Sequence, residues 1–193
     1  MEDRKKKVIL VTGMPGSGKS IVYDVAKKLG FGTVSMGDVV REEVKKRGLK
    51  PTRENMSRVA KELRKKEGMH AIAIRILDEV LRLLSSGIDL VVVDGIRGYE
   101  EVEYLRGNLD THAKLLILTV HASPSTRFKR LHKRGREDDP KTWEEFLKRD
   151  FEELSFGIGN VIAHSDLVII NEGLSMREFK ELVESVISSI ANS

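Results

Sequence analysis

The sequence predicts an α/β fold of the doubly wound kind, a five-stranded parallel sheet with helices on both faces. Three observations carry that expectation. Five short segments are mostly apolar, amphipathic helical stretches separate them, and a glycine-rich turn joins the first segment to the first helix. A strand apolar on both sides is covered on both sides, which is how parallel sheets with helical crossovers are built.

In chain order, residues 7–12 (KVILVT) form a buried strand that ends in the glycine turn. Residues 18–29 read as a helix stopped at Gly30, 31–35 as a second strand, and 37–47 as a second helix ended by Gly48. Pro51 and Thr52 open a third helix with Met56, Val59, Ala60 and Leu63 on one face. Met69, Ile72, Ala73, Ile76, Leu77, Val80 and Leu84 then recur at helical spacing. Ile74 and Leu83 add apolar positions off that stripe, so the fourth helix is expected to be deeply buried. Residues 88–93 are a β-branched run closing on Asp94 and Gly95, and 114–120 and 167–170 are the remaining strands. The last helix opens with a capping box, Ser175 and Glu178, and aligns Phe179, Leu182, Val183, Val186, Ile187 and Ile190.

With 193 residues, 40% hydrophobic and 33% charged, the chain suits one globular domain with a sizeable core. No apolar run reaches the ~18 residues of a membrane span. The charged stretch 1–7 leads into a strand with no signal-peptide core, so a cytoplasmic location is expected. The absence of cysteine excludes disulfides, thiolate metal sites and thiol catalysis. The five histidines show no metal-site spacing. A net charge of +4 suits the attraction of nucleotide phosphates. It argues less for nucleic acid. Acids stand at i,i+4 from many of the bases (Glu42–Lys46, Glu43–Arg47, Glu62–Lys66, Glu144–Lys148, Glu145–Arg149), and 5% aromatic residues make no stacking platform. Small-molecule nucleotides are the expected partners, met by a monomer or small homo-oligomer.

Gly13, Met14, Pro15, Gly16, Ser17, Gly18, Lys19 and Ser20 match G-x-x-x-x-G-K-[ST] in full, with Ile21 next on the helix. The glycines let successive N–H groups turn toward a polyphosphate, and the helix beyond adds the positive end of its dipole. Lys19 is expected to bridge the β- and γ-phosphates of ATP or GTP and the Ser20 hydroxyl to ligate Mg2+. A second strand ends at Asp94. An acid at the carboxyl end of a parallel strand points into the ligand crevice, so Asp94 is expected to hold Mg2+ directly or through water. Together these motifs place the chain in the three-layer P-loop NTPase fold.

Four further segments carry a family pattern: 35–42 (SMGDVVRE), 94–97 (DGIR), Arg130 and Arg134 followed by 136–139 (REDD), and 163–166 (AHSD) with 171–173 (NEG). With the form Gly-x-Pro-Gly-Ser-Gly-Lys of the phosphate loop, the chain resembles the nucleoside-monophosphate kinases. Adenylate kinase is nearest among them, especially its short archaeal adenylate-kinase-like members, and dephospho-CoA kinases are related. The resemblance implies core segments 1–35, 86–130 and 160–193, a helical acceptor-binding insert near 36–68 and a short lid near 130–150. It implies that Arg41 and Arg97 grip an acceptor phosphate beside Asp38. It also implies that Arg130, Arg134, Arg136 and Arg149 close over the γ-phosphate, and that 163–166 with Asn171 and Gly173 cradles the donor base. Arg127, a turn before Arg130, is a candidate for stacking on that base. For each lid arginine the alternative is a surface ion pair.

Two positions depart from the family. Met36 stands where a threonine is usual, and Glu101 where a glutamine reads adenine. A carboxylate only accepts hydrogen bonds, so Glu101 would favour a base edge that presents N–H groups, as guanine does. Alternatively, Glu100, Glu101 and Glu103 decorate an exposed helix face. The expected reaction is ATP-dependent phosphoryl transfer to a nucleoside monophosphate. Two other readings stand beside it: a dephospho-CoA-type kinase using Asp38 as base, and an ATPase switch that binds RNA or a protein.

Overall fold

The computed structural model describes residues 5–193, so the first four residues of the expected core segment 1–35 lie outside it. Five strands form one sheet: β1 (Lys7–Thr12), β2 (Gly32–Ser35), β3 (Leu90–Asp94), β4 (Lys114–His121) and β5 (Leu167–Ile170). Their order is β2-β3-β1-β4-β5 and every pairing is parallel. Nine helices surround them among the described residues: α1 (Ser20–Lys28), α2 (Met36–Lys46), α3 (Arg53–Glu67), α4 (Ala71–Ser85), α5 (Tyr99–Leu109), α6 (Pro124–Arg134), α7 (Trp143–Ser155), α8 (Ile158–Ala163) and α9 (Met176–Asn192).

Alternation along the strands splits the core into two layers. Val8, Leu10, Val91, Val93 and Ile117 face α2, α3, α4, α5 and α8. Ile9, Val11, Leu90, Val92, Leu118 and Val120 face α1 and α9. Central β1 is buried along its whole length, which is why its sequence shows no polar alternation. The capping box at Ser175 forms as the sequence indicates, with Ser175 Oγ accepting from Glu178 N and the Glu178 carboxylate from Ser175 N.

Departures from the sequence reading have local causes. α4 starts at Ala71 rather than near Met69, because Gly68 ends α3 with a φ of 93°. α8 spans only six residues, too few to show a helical period. Of the expected i,i+4 pairs, Glu43–Arg47 forms at 3.1 Å. Glu42 instead meets Lys45, Glu62 meets Arg47, and Arg149 meets Asp139. Glu42 shifts only to an i,i+3 neighbour, while Glu62 and Arg149 take partners outside their own helices, because an exposed helical pair is stabilised by only about 0.3–0.5 kcal/mol.

The α6–α7 region is joined to the sheet through Arg127. Its guanidinium is buried, forms a two-point pair with Asp150 of α7 (2.8 and 2.5 Å) and donates to the carbonyls of Ala122 and Pro15. It also lies 5.0 Å over the Phe146 ring, which stacks on Trp143 and meets Phe128. Removing one partner of such a pair leaves a buried charge uncompensated. Asp150→Ala is expected to cost about 3–5 kcal/mol in urea unfolding. A change below about 1 kcal/mol would mean that the aromatic cluster alone holds α7.

Candidate active site

The phosphate loop leaves β1 at the carboxyl edge of the sheet. Its three glycines are required by close approach, and a Cβ on Gly13 would collide with the Val120 carbonyl oxygen. A Cβ on Gly16 would stand 2.8 Å from the Arg127 carbonyl oxygen, and one on Gly18 2.6 Å from Asn171 Nδ2, and both residues have positive φ. Ser17 N donates to Met14 O, closing the turn. No side chain caps α1 and no acid sits in its first turn, so its N-terminus is left for an anion. Ser20 stands exposed at that terminus.

β1 and β3 are paired with Val11 opposite Asp94. Gly95 N and Ile96 N both donate to Val11 O, and Thr12 Oγ1 donates to Ile96 O, so the end of β3 is fixed against the start of the phosphate loop. Asp94 Oδ1 is buried without a hydrogen-bond partner. Burial raises the Asp94 pKa, while the charges of Lys19 and Arg97 oppose that shift. Burial likewise lowers the pKa of Lys19, with Asp94 opposing it. The two groups steady each other and both lack a full partner. An orphaned carboxylate oxygen at the end of β3, beside the start of the phosphate loop, suits Mg2+ held together with phosphate oxygens. No cluster of three acids or histidines among the described residues would hold a metal unaided.

Lys19 and Asp94 open onto a crevice of roughly 910 Å3. Arg41, Arg97, Arg136 and Arg149 line the same space. Arg41 carries an ion pair to Asp38, and Arg97 Nε lies 3.4 Å from Glu153. Asp139 organises the α6–α7 connection, accepting from Arg134 Nε (2.8 Å), Arg136 N (3.1 Å) and Arg149 Nη1 (3.3 Å). Its burial would raise its pKa, but those hydrogen bonds and charges hold it down to about 2. Burial, followed by the charge of Arg53, disfavours the cation of Arg149, whose Nε has no partner. An anion entering the crevice would relieve that strain on Arg149.

Several expected residues lie elsewhere. Arg127 is buried against Asp150 and Phe146, so it cannot stack on a donor base, because its planar faces and donors are already taken. Glu101 is fully buried: Oε1 accepts from Arg64 Nη2 (2.8 Å) and Oε2 from Arg97 N and Gly98 N (2.9 and 3.1 Å). It caps α5 and reads no base, and it does not belong to an exposed acidic face either. Arg130 donates to Ser17 O, Asn171 O and Asn171 Oδ1, beside a second hollow lined by Gly18, Ile21, Leu174 and Phe179. It therefore stands away from the large crevice. Arg134 is engaged by Asp139 and is not among the crevice residues. Asn171 borders the second hollow and donates to Ser17 O, as a base-side residue should, while Gly173 (φ 67°) shapes the turn beyond it. Residues 163–166 precede β5, a strand length away from Asn171. There Asp166 accepts from Ile117 N and Ser165 meets Thr119, so this segment fastens the edge of the sheet.

The crevice also contains residues the motifs did not indicate: Arg53, Ser57, Arg64, Glu152, Glu153 and Phe156. Glu152 on α7 accepts from Arg53 Nη2, Ser57 Oγ and Lys61 Nζ on α3, each at 2.8 Å. One signal existed for Arg64. It follows Ala60 by four residues and so falls on the apolar stripe of α3, inside the basic run 64–66.

Residues 12–147 match a family model described as an AAA domain. UPF0200 protein TK1334 of Thermococcus kodakarensis is 46% identical over 186 residues, covering 95% of this chain and all of that one. UPF0200 protein MJ1399 of Methanocaldococcus jannaschii is 45% identical over 185 residues, covering 96% and 91%. Among solved structures, TT1252 from Thermus thermophilus is similar with a TM-score of 0.65 at 19% identity, over 97% of this chain and 98% of that one. Shikimate kinase from Bacteroides thetaiotaomicron follows at 0.60 and 16%, over 96% and 98%. A gluconokinase from Sinorhizobium meliloti gives 0.56 and 18%, over 98% and 95%. At such identities these likenesses concern the fold alone, and it is that of P-loop kinases. The chain belongs to the UPF0200 family, and most of its length matches the AAA-domain model.

Proposed function

We propose that the protein is an ATP-dependent phosphotransferase that moves the γ-phosphoryl group to a nucleoside monophosphate. The observation that supports it most is one crevice in which Lys19 and Asp94 meet Arg41, Arg97, Arg136 and Arg149. Four arginines beside a phosphate loop exceed what a single nucleotide needs, and they suit two phosphate-bearing ligands held end to end.

In this reading the phosphate loop and the start of α1 bind the donor phosphates, and Lys19 neutralises charge on the γ-phosphoryl as it transfers. Asp94 and Ser20 would hold Mg2+, which supplies charge neutralisation at the β- and γ-oxygens. Arg41 and Arg97 fix the acceptor phosphate. One of its oxygens attacks the γ-phosphorus, the bond to the bridging oxygen breaks, and the nucleoside diphosphate leaves with the electron pair. The acceptor is already an anion, so no side chain has to remove a proton. Residues 130–150 act as a short lid whose Arg136 and Arg149 cover the transferring group, and the ion pairs of Glu152 with α3 help to exclude water. Asp38 shares only an exposed ion pair with Arg41, which is released if Arg41 takes the acceptor phosphate.

A phosphotransfer panel with Mg-ATP or Mg-GTP and AMP, GMP, CMP, UMP or dephospho-CoA tests the reading. Rapid, acceptor-dependent turnover is expected with a monophosphate, and Lys19→Ala should slow it by at least about 100-fold. Slow hydrolysis indifferent to every acceptor would overturn the proposal in favour of an ATPase switch. Arg97→Ala is expected to lower kcat/KM for the acceptor by about 10- to 100-fold while leaving donor-analogue affinity within about threefold. Asp38→Asn separates the kinase types. Activity within a few-fold of wild type is expected here, whereas a loss near 100-fold would signal a general base.

A further inference from the structure

Glu101 is taken, but its partner is not. The Arg64 guanidinium is more than nine-tenths buried and gives Nη2 to Glu101, while Nε and Nη1 are buried and have no hydrogen-bond partner. Its Cζ lies 4.9 Å from the Phe156 ring centroid, and both residues line the crevice together with Met56 and Ile72. Buried N–H groups on a cation are costly to leave unmade. Glu101 balances the charge of Arg64, so the free donors call for a neutral acceptor atom more than for another anion. The surroundings, one aromatic face and apolar side chains, suit a flat ring.

From this we infer that Arg64 is a specificity-determining residue which selects acceptors whose base turns an oxo group toward it. The inference rests on the monophosphate reading above. A guanidinium donates and never accepts. A ring carbonyl oxygen satisfies Nε or Nη1, whereas an exocyclic amine at the same place sets donor against donor. A site built around such a bond rejects the analogue that cannot make it far more strongly than an apolar pocket rejects a change of size. At purine C6 or pyrimidine C4, hypoxanthine, guanine and uracil present an oxo group and fit, whereas adenine and cytosine present an amine there and do not. The same carboxylate that holds Arg64 also accepts from Arg97 N, so base recognition and the phosphate-gripping loop share one anchor.

Calorimetric titration of the full chain compares acceptors that differ only at this edge, IMP against AMP and UMP against CMP, with a non-hydrolysable ATP analogue present. The oxo member of each pair is expected to bind at least about tenfold more tightly. Arg64→Lys keeps a cation opposite Glu101 but loses the spread of planar donors. It should bring both ratios below about threefold with the melting temperature near that of wild type. Equal binding within each pair by the wild-type chain overturns this inference alone and leaves the monophosphate reading standing. Retention of the ratios in Arg64→Lys also overturns it. Failure of all four to bind while the ATP analogue does bind overturns both readings. The wild-type ratios need no variant, so a poorly folded Arg64→Lys does not remove the test.

Discussion

The site depends on one strand pairing. β1 lies between β3 and β4, and its register against β3 sets Val11 opposite Asp94. That single offset brings a carboxylate to the mouth of the phosphate loop, and the two N–H groups donated to Val11 O keep it there. Because side chains alternate along a strand, a slip of one residue would turn Asp94 toward the opposite layer. Both strands are apolar on each face, so polarity alone would not forbid that slip. The hydrogen bonds of Gly95 N, Ile96 N and Thr12 Oγ1 at the end of β3 fix the register.

The crevice is held open as a deficit of negative charge. Lys19 and Arg149 are both disfavoured as cations by burial, and Asp94, Asp139 and Glu153 only partly compensate them. Polyphosphate would supply what is missing. Preorganised cations cost little rearrangement when the ligand arrives, which is the condition for electrostatic stabilisation of a transferring phosphoryl group.

α7 ties the parts of this site together. Asp150 pairs with Arg127 of α6, Glu152 with Arg53 and Lys61 of α3, and Glu153 with Arg97 beyond β3. Three acids within one helical turn therefore reach three different elements. The first pair is buried and fixed. The Glu152 pairs are partly solvated.

The sequence by itself determined the sheet, the phosphate loop, the place of Asp94, the approximate bounds of α1 and α2 and the starts of α3 and α9, because each is encoded by a local period, cap or glycine requirement. The family resemblance, and no local rule, pointed to Arg41 and Arg97, and both line the crevice. Tertiary structure alone decided what long polar side chains do. Arg127 became a buried anchor instead of a base-stacking residue, Glu101 a helix cap instead of a base reader, and Arg130 a neighbour of Asn171 instead of a lid cation. Arg64, which no motif marks, turned inward to meet Glu101. A flexible side chain spans several ångströms, and its partner lies tens of residues away in the chain. Only the packed fold fixes which charge it finds, since the energy of that choice comes from burial and proximity that no local pattern records.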